Sequence, residues 1–246
     1  MSPCSRPGER VTYFIPVQKD QKLSWFNTFE RFPTGTIQIL GPITLAVHDW
    51  SHPQEGHPRM FGLSFLEWFT CAHPRSLITV YLPGGFILGW LCLRAGTSIA
   101  GAVGGYLAGL VLWTFLEYVF HRFPFHLTPH NKLEVIIGYL IHGVHHAFPE
   151  DPERLVTPLV ITLPVGAVIL GLLWLPLGVS ALPVFAGVMH GYLAYDVLHY
   201  AIHKRSLKSR LGRFLRNHHL QHHYTVPERN FGVTSPFWDH VFRTTR

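Results

Sequence analysis

Histidine is the residue whose placement could do chemistry in this chain. Thirteen of the eighteen histidines lie between His121 and His223. Most of them fall in four clusters: His121-Arg-Phe-Pro-Phe-His126, His142-Gly-Val-His145-His146, His199-Tyr-Ala-Ile-His203 and His219-Leu-Gln-His222-His223. Two clusters have the spacing i, i+3, i+4 and one has i, i+4, so on a helix each aims its imidazoles at one face. The first is i, i+5 with Pro124 between, which suits a pair straddling a helix end. Neutral imidazole is the commonest metal ligand, and ten such side chains are too many for one ion. The pattern predicts a nitrogen-rich centre with two metal ions.

The elements that must position these ligands are apolar. Of 246 residues, 48% are hydrophobic and only 14% charged, and the mean hydropathy is positive. That balance belongs to a membrane protein, of one domain or a domain with a small appendage. Cys4, Cys71 and Cys92 are scattered, with no CxxC pair, and support neither a disulfide framework nor a thiolate site. The start of the chain lacks the apolar core of a signal peptide.

No charge occurs from Ser76 to Leu93 or from Ala95 to Leu116, and each run approaches the ~20 residues of a membrane helix. The second is rich in small residues, among them Gly101, Gly105 and Gly109, as expected where membrane helices pack closely. Between Arg154 and Asp196 lie 41 uncharged residues, too many for one span, with Pro176-Leu-Gly178 near the middle. The expected fold is an all-α integral membrane protein with four transmembrane helices in two hairpins, at about 76–93, 95–119, 157–175 and 179–199. With residues 76–246 as the membrane domain, 1–75 form an N-terminal cytosolic or interfacial segment. Within it, 11–17 and 36–47 read equally as strand, helix or interfacial piece. His48, His52, His57 and His73 are irregularly spaced beside prolines and read as loop residues.

An even number of crossings places all four clusters on one face of the bilayer, and of twenty Lys and Arg only Arg94 falls on the other. The positive-inside rule then makes the histidine face a cytosolic dimetal cap. The net charge of +6 reads as a topogenic and lipid-facing signal, with no nucleic-acid partner. Six basic residues between Lys204 and Arg216 suit anionic headgroups or, less directly, an acidic electron-transfer partner.

Imidazole suits zinc, copper, iron and nickel alike. About five ligands per ion exceed the closed tetrahedron of structural zinc. Asp196, with Tyr195 beside it, lies one turn before His199 and is a candidate to fix an imidazole tautomer from behind; Glu117 before His121 receives the same reading. His190 is an ionisable group at membrane depth and hence a functional candidate. His218 falls out of phase with its cluster, and His130 and His240 read as surface residues. Arg154 suits either a lipid anion or a topogenic flank.

These clusters, with Glu117-Tyr-Val-Phe before His121, Tyr195-Asp196 before His199, and Asn230-Phe-Gly-Val-Thr-Ser-Pro-Phe-Trp-Asp239 after His223, resemble the fatty acid hydroxylase/sterol desaturase superfamily. The stretch His145-His-Ala-Phe-Pro-Glu-Asp-Pro-Glu-Arg-Leu-Val-Thr-Pro158 is most similar to fatty acid 2-hydroxylases. The resemblance covers about 75–246. It implies a membrane non-haem dimetal oxygenase that inserts one oxygen atom of O2 at carbon 2 of a fatty acyl chain. It carries over ten ligands: His121, His126, His142, His145, His146, His199, His203, His219, His222 and His223. Iron is expected for activity, and zinc in purified protein. Many eukaryotic members carry a fused cytochrome b5 domain with a His-Pro-Gly-Gly motif; the nearest string here, Leu82-Pro-Gly-Gly85, has no histidine. The expectation is therefore a separate electron donor, cytochrome b5- or ferredoxin-like. The short chain points to a bacterial inner membrane, or the endoplasmic reticulum in a eukaryote. The alternatives are a sterol, carotenoid or sphingoid oxidase or desaturase with the same centre, and a zinc-binding or zinc-transporting membrane protein.

Overall fold

In the computed structural model, residues 34–51 and 53–246 are described; Cys4, the segment 11–17 and His52 lie outside them. The first elements are two strands, β1 (Gly35–Leu40) and β2 (Ile43–Val47), paired antiparallel. Gly41 begins their two-residue turn with φ +53°, a backbone angle that such turns require and glycine adopts freely. Ile37, Leu45 and Val47 point inward and pack against Tyr139, Val144 and Phe148. The all-α expectation is therefore corrected. Residues 36–47 alternate along one apolar face, and a strand can bury that face against the histidine-bearing segment.

A short helix, α1 (Ser64–Trp68), leads into α2 (Pro74–Arg94) and α3 (Ile99–Phe120). Pro74 at the first position and the His73 side chain, accepting from the Arg75 N–H at 3.1 Å, start α2. Ser98 caps α3 by accepting from Gly101 at 3.1 Å. The chain runs on through a π-turn, His121–Phe125, then α4 (Lys132–Gly138), a second π-turn (Tyr139–Gly143) and α5 (Val144–Ala147). After α6 (Leu159–Leu177) and a 3-10 turn at Gly178–Ser180 come α7 (Ala181–Lys204), α8 (Arg210–Tyr224) and α9 (Phe237–Val241).

Among the described residues, three helical stretches are long and apolar enough to cross a membrane: Pro74–Arg94, Ile99–Phe125 and Leu159–Lys204. The third, of 46 residues, contains both α6 and α7. It reverses direction at Gly178, whose φ of +53° a side chain would resist. A Cβ on Gly166 would lie 3.4 Å from the Phe185 ring, so the two arms lie side by side.

The central helix is α7. It packs against both α2 and α3, which touch each other little, so the first expected hairpin is held together by α7, a helix of the second. Small residues permit the closest crossing: a Cβ on Gly109 would sit 1.9 Å from the Val184 carbonyl oxygen, and one on Gly187 2.1 Å from that of Tyr106. The outward faces carry Phe86, Ile87, Val111, Val168 and Leu172, exposed as lipid-facing side chains are.

Candidate metal centre

Local geometry explains the histidine spacings. At the end of α3 the chain widens into a π-turn, in which i and i+5 succeed each other on one face, and His121 and His126 bracket it. The second π-turn does the same service just before His145 and His146. The last turns of α7 supply His199 and His203, and α8 supplies His219, His222 and His223. All ten imidazoles meet at one end of the helix bundle.

They form two groups of five, each residue offering one nitrogen and all nitrogens of a group lying within 4.8 Å of one another. One group is His121, His126, His142, His146 and His222; the other is His145, His199, His203, His219 and His223. Each i, i+3, i+4 cluster is split, its i, i+4 pair going to one group and its middle member to the other. Helix geometry permits this, since i+3 and i+4 lie to opposite sides of i around the axis. The sequence expectation that each cluster serves a single face is refined accordingly.

The donors fit metal ions. Within the first group Nε2 of His121 stands 3.1 Å from Nε2 of His142. In the second, Nε2 of His219 lies 3.1 Å from that of His203 and 3.0 Å from that of His223, which is 3.0 Å from His145. Two nitrogens at right angles about an ion at about 2.1 Å would be about 3.0 Å apart. The Nε2 atoms of His126, His146, His199 and His222 are buried and have no hydrogen-bond partner among the described residues. Buried polar atoms without partners are rare, and an ion would satisfy them. Burial, reinforced by neighbouring imidazoles, holds His126, His142, His145, His146, His219, His222 and His223 well below the usual histidine range. Their lone pairs are therefore free at neutral pH.

Backbone carbonyls aim three of the rings. Nδ1 of His121 donates to Phe231 at 2.5 Å, Nδ1 of His199 to Leu155 at 3.1 Å, and Nδ1 of His222 to Arg229 at 2.7 Å. Each bond fixes the tautomer that turns Nε2 inward. The loop carrying Arg229 and Phe231 is itself clamped by two carboxylates. Glu117 accepts from the Val233 and Thr234 N–H groups at 2.6 and 2.8 Å, and Asp239 accepts from those of Phe231 and Gly232 at 2.9 and 2.7 Å. Sequence reasoning missed these carbonyls because a backbone acceptor leaves no signature in residue type.

Among the described residues no imidazole hydrogen-bonds to Asp196; the acceptor for His199 is Leu155. Asp196 is buried with the Tyr192 hydroxyl as its hydrogen-bonding neighbour, and Tyr195 stacks on the His199 ring at 5.7 Å with 5° between planes. His218 faces Asp239 at 3.2 Å and stays outside both groups. Arg154 is not free to meet a lipid anion. It is buried and bound to Glu67, to the Thr70 carbonyl at 2.9 Å and to the Pro58 carbonyl at 3.0 Å. His190 is occupied by Tyr106 Oη at 3.1 Å and the Leu82 carbonyl at 3.0 Å, joining α2, α3 and α7. The irregular histidines do local work: His48 bonds Tyr139, His57 faces Asp151 and His73 caps α2.

A cavity of about 220 Å³ opens onto both groups, touching His142 of one and His145 and His199 of the other. Its walls are mainly apolar, with Phe61, Phe69, Val156 and Ile161 among them, and it runs beside the first turn of α6.

A family model described as fatty acid hydroxylase matches residues 106–244. The chain is 33% identical over 227 residues to a dihydroceramide fatty acyl 2-hydroxylase (FAH2) of Arabidopsis thaliana, covering 85% of this chain and 93% of that one. It is 30% identical to the fatty acid 2-hydroxylase of Mus musculus over 223 residues, 80% of this chain and 59% of the mouse protein. The solved structure of full-length scs7p, in which only the hydroxylase domain is visible, superposes with a TM-score of 0.71 at 33% identity, covering 74% of this chain and 70% of that one. With ten imidazoles in two fives at the end of an apolar bundle and a family match over more than half its length, the chain belongs to the fatty acid hydroxylase family.

Proposed function

We propose that this protein hydroxylates carbon 2 of a fatty acyl chain at the membrane surface. The observation that carries the reading is the mainly apolar cavity that ends on imidazoles of both histidine groups. The Arabidopsis and mouse relatives are 2-hydroxylases of acyl lipids by name, which supports the same chemistry here.

His121, His126, His142, His146 and His222 would hold one ion and His145, His199, His203, His219 and His223 the other. When bound, a pair of iron ions supplies the O2 activation that this reaction needs, while zinc would occupy the same nitrogens without it. The protein's own contribution is positional. Phe61, Phe69, Val156 and Ile161 take the acyl chain and exclude water. The cavity is smaller than the ~300 Å³ at which drug-sized pockets begin, so it receives the reacting end while the tail lies in the bilayer. Tyr195 stacks on the His199 ring, and Asp196, hydrogen-bonded to Tyr192, lines the cavity beside it. Each turnover breaks one C–H bond, places one oxygen atom at carbon 2 and releases the other as water. It therefore consumes two electrons and two protons, which a separate cytochrome b5- or ferredoxin-like donor supplies.

The helical stretch Leu159–Lys204 would be roughly 70 Å long if straight, about twice a bilayer core. With the reversal at Gly178 it makes two crossings, and four in all. Among the described residues Arg94 is then the one Lys or Arg at the end away from the histidines, which supports a cytoplasmic centre. We assign the membrane hydroxylase unit to 76–246, capped by the described part of 1–75. The relatives named above are eukaryotic and do not favour a bacterial membrane over the endoplasmic reticulum.

Mass spectrometry of total lipids from cells with and without the protein tests the reading. 2-Hydroxy acyl chains should appear with it. Unchanged 2-hydroxy acids beside an altered sterol or carotenoid would assign the centre to another substrate. Zinc transport has little support, because the ionisable group at membrane depth, His190, is already bonded at both ring nitrogens.

A further inference from the structure

Two cavities approach the histidines from different sides. The apolar one meets His142, His145 and His199. The second, about 420 Å³, is walled by His203, Lys204, Arg205, Arg213 and Arg216. His203 belongs to the second group of five, its Nε2 3.1 Å from that of His219. One side chain thus separates an open basic cleft from a candidate metal position.

Most of the cleft's charge is uncompensated. From Val197 to Pro227 the chain holds six Lys and Arg between Lys204 and Arg216 and no Asp or Glu. Arg213 is braced on the Lys208 carbonyl at 2.5 Å and Arg216 on the Ile202 carbonyl at 3.1 Å, bonds that fix the guanidinium groups without neutralising them. Lys204 has a carboxylate nearby, Glu150 at 3.5 Å, half of it exposed. Among the described residues no carboxylate pairs with Arg205, Arg213 or Arg216.

We infer that this cleft is where the electron donor docks: an acidic one-electron carrier protein seated over His203, delivering its electrons to the ion held by His145, His199, His203, His219 and His223. The inference rests on the oxygenase reading above, which requires two electrons per turnover delivered one at a time. The apolar cavity is taken by the acyl chain, so reduction needs another entrance. A positive funnel concentrates a negative partner and orients it, with an association that weakens as salt rises. Lipid headgroups would answer to the same charge but have no use for a metal-facing imidazole in the wall.

The test uses the metal-loaded protein in discs of phosphatidylcholine, which carry no net charge. The probe is the reduced haem domain of a cytochrome b5, with a plant-type ferredoxin as a second. Arg205→Glu together with Arg213→Glu should raise the Kd for the carrier at least tenfold and flatten its salt dependence. Metal content and melting temperature should stay as in the parent. Arg75→Glu, an equal charge change per site on an exposed residue at the start of α2, should alter Kd less than threefold. Equal weakening by both variants would mean diffuse attraction and overturn the docking site. So would an unchanged Kd, or loss of binding confined to phosphatidylserine vesicles. Product formed with an uncharged chemical reductant reads the hydroxylase assignment separately. If that product appears while carrier binding is unaltered in the variant, only the docking site fails; carrier binding with no product from either reductant would sink the hydroxylase assignment instead.

Discussion

Nδ1 of His121 donates to the carbonyl oxygen of Phe231, 110 residues later in the chain, at 2.5 Å. Four residues before His121, Glu117 accepts from Val233 and Thr234 in the same loop. One helix end therefore both receives its orientation from the loop and holds that loop in place. Asp239 closes the arrangement from the far side, and the Arg229 carbonyl beside it aims His222.

Glu117→Ala should disturb the metal centre through this loop. Each buried N–H left without an acceptor costs about 1–3 kcal/mol, and supporting residues behind a ligand typically change metal affinity by about 10–100-fold. Calorimetric metal titration should find weaker binding in Glu117→Ala than in Glu117→Gln, which keeps one acceptor oxygen. Equal affinity in parent and Glu117→Ala would separate the loop from the centre.

The division of ligands makes a prediction that the clusters alone do not. His146→Ala and His145→Ala remove neighbouring residues but strike different groups. Each should lower the metal content from about two ions per chain toward about one, and the double variant toward none, by elemental analysis. Should either single variant lose both ions, the two groups bind as one cooperative site.

Asp239 sets an acid limit on the C-terminal clamp. Burial alone would raise its pKa, but the hydrogen bond from His218 and those from Gly232, Thr244 and Phe231 outweigh it and hold the carboxyl below its ordinary value. A carboxylate with a depressed folded pKa contributes stability that is complete above its unfolded pKa, about 3.9. That contribution is lost as pH falls through the folded value. Asp239→Asn should therefore melt lower than the parent at pH 6, with the gap narrowing below pH ~4. A gap that is constant with pH would mean the charge is immaterial.

Gly187→Val should prevent the bundle from closing. Even a methyl at this position meets the Tyr106 carbonyl at 2.1 Å and backbone atoms of Gly109 and Leu110 within 3 Å. Overpacking of this kind costs ~1–3 kcal/mol or more, and here neither helix has a side chain to move aside. Folded yield from membranes should fall sharply, whereas Gly104→Ala, which faces open space, should be neutral.

Much of this protein is written in residue type and spacing. Long uncharged runs announce apolar helices because a bilayer tolerates little else, and α2, α3 and α6 are built from such runs. Ten imidazoles at helical intervals announce metal because few other chemistries need so many neutral nitrogens. Other features depend on partners distant in sequence. The hairpin at Gly35–Val47 became a strand pair because Tyr139, Val144 and Phe148 offered its apolar face a surface. Arg154 lost its freedom to meet a lipid because Glu67, Thr70 and Pro58 surround it.

The sequence by itself determined which side chains could bind metal and that apolar helices would carry them. Only the tertiary structure decided how the ten divide into two fives, which carbonyls aim them and which cavity reaches them. The reason is physical: helical phase is local and can be counted along the chain, whereas a ligand's partner ion, its tautomer and its access are fixed by atoms that folding brings from far away.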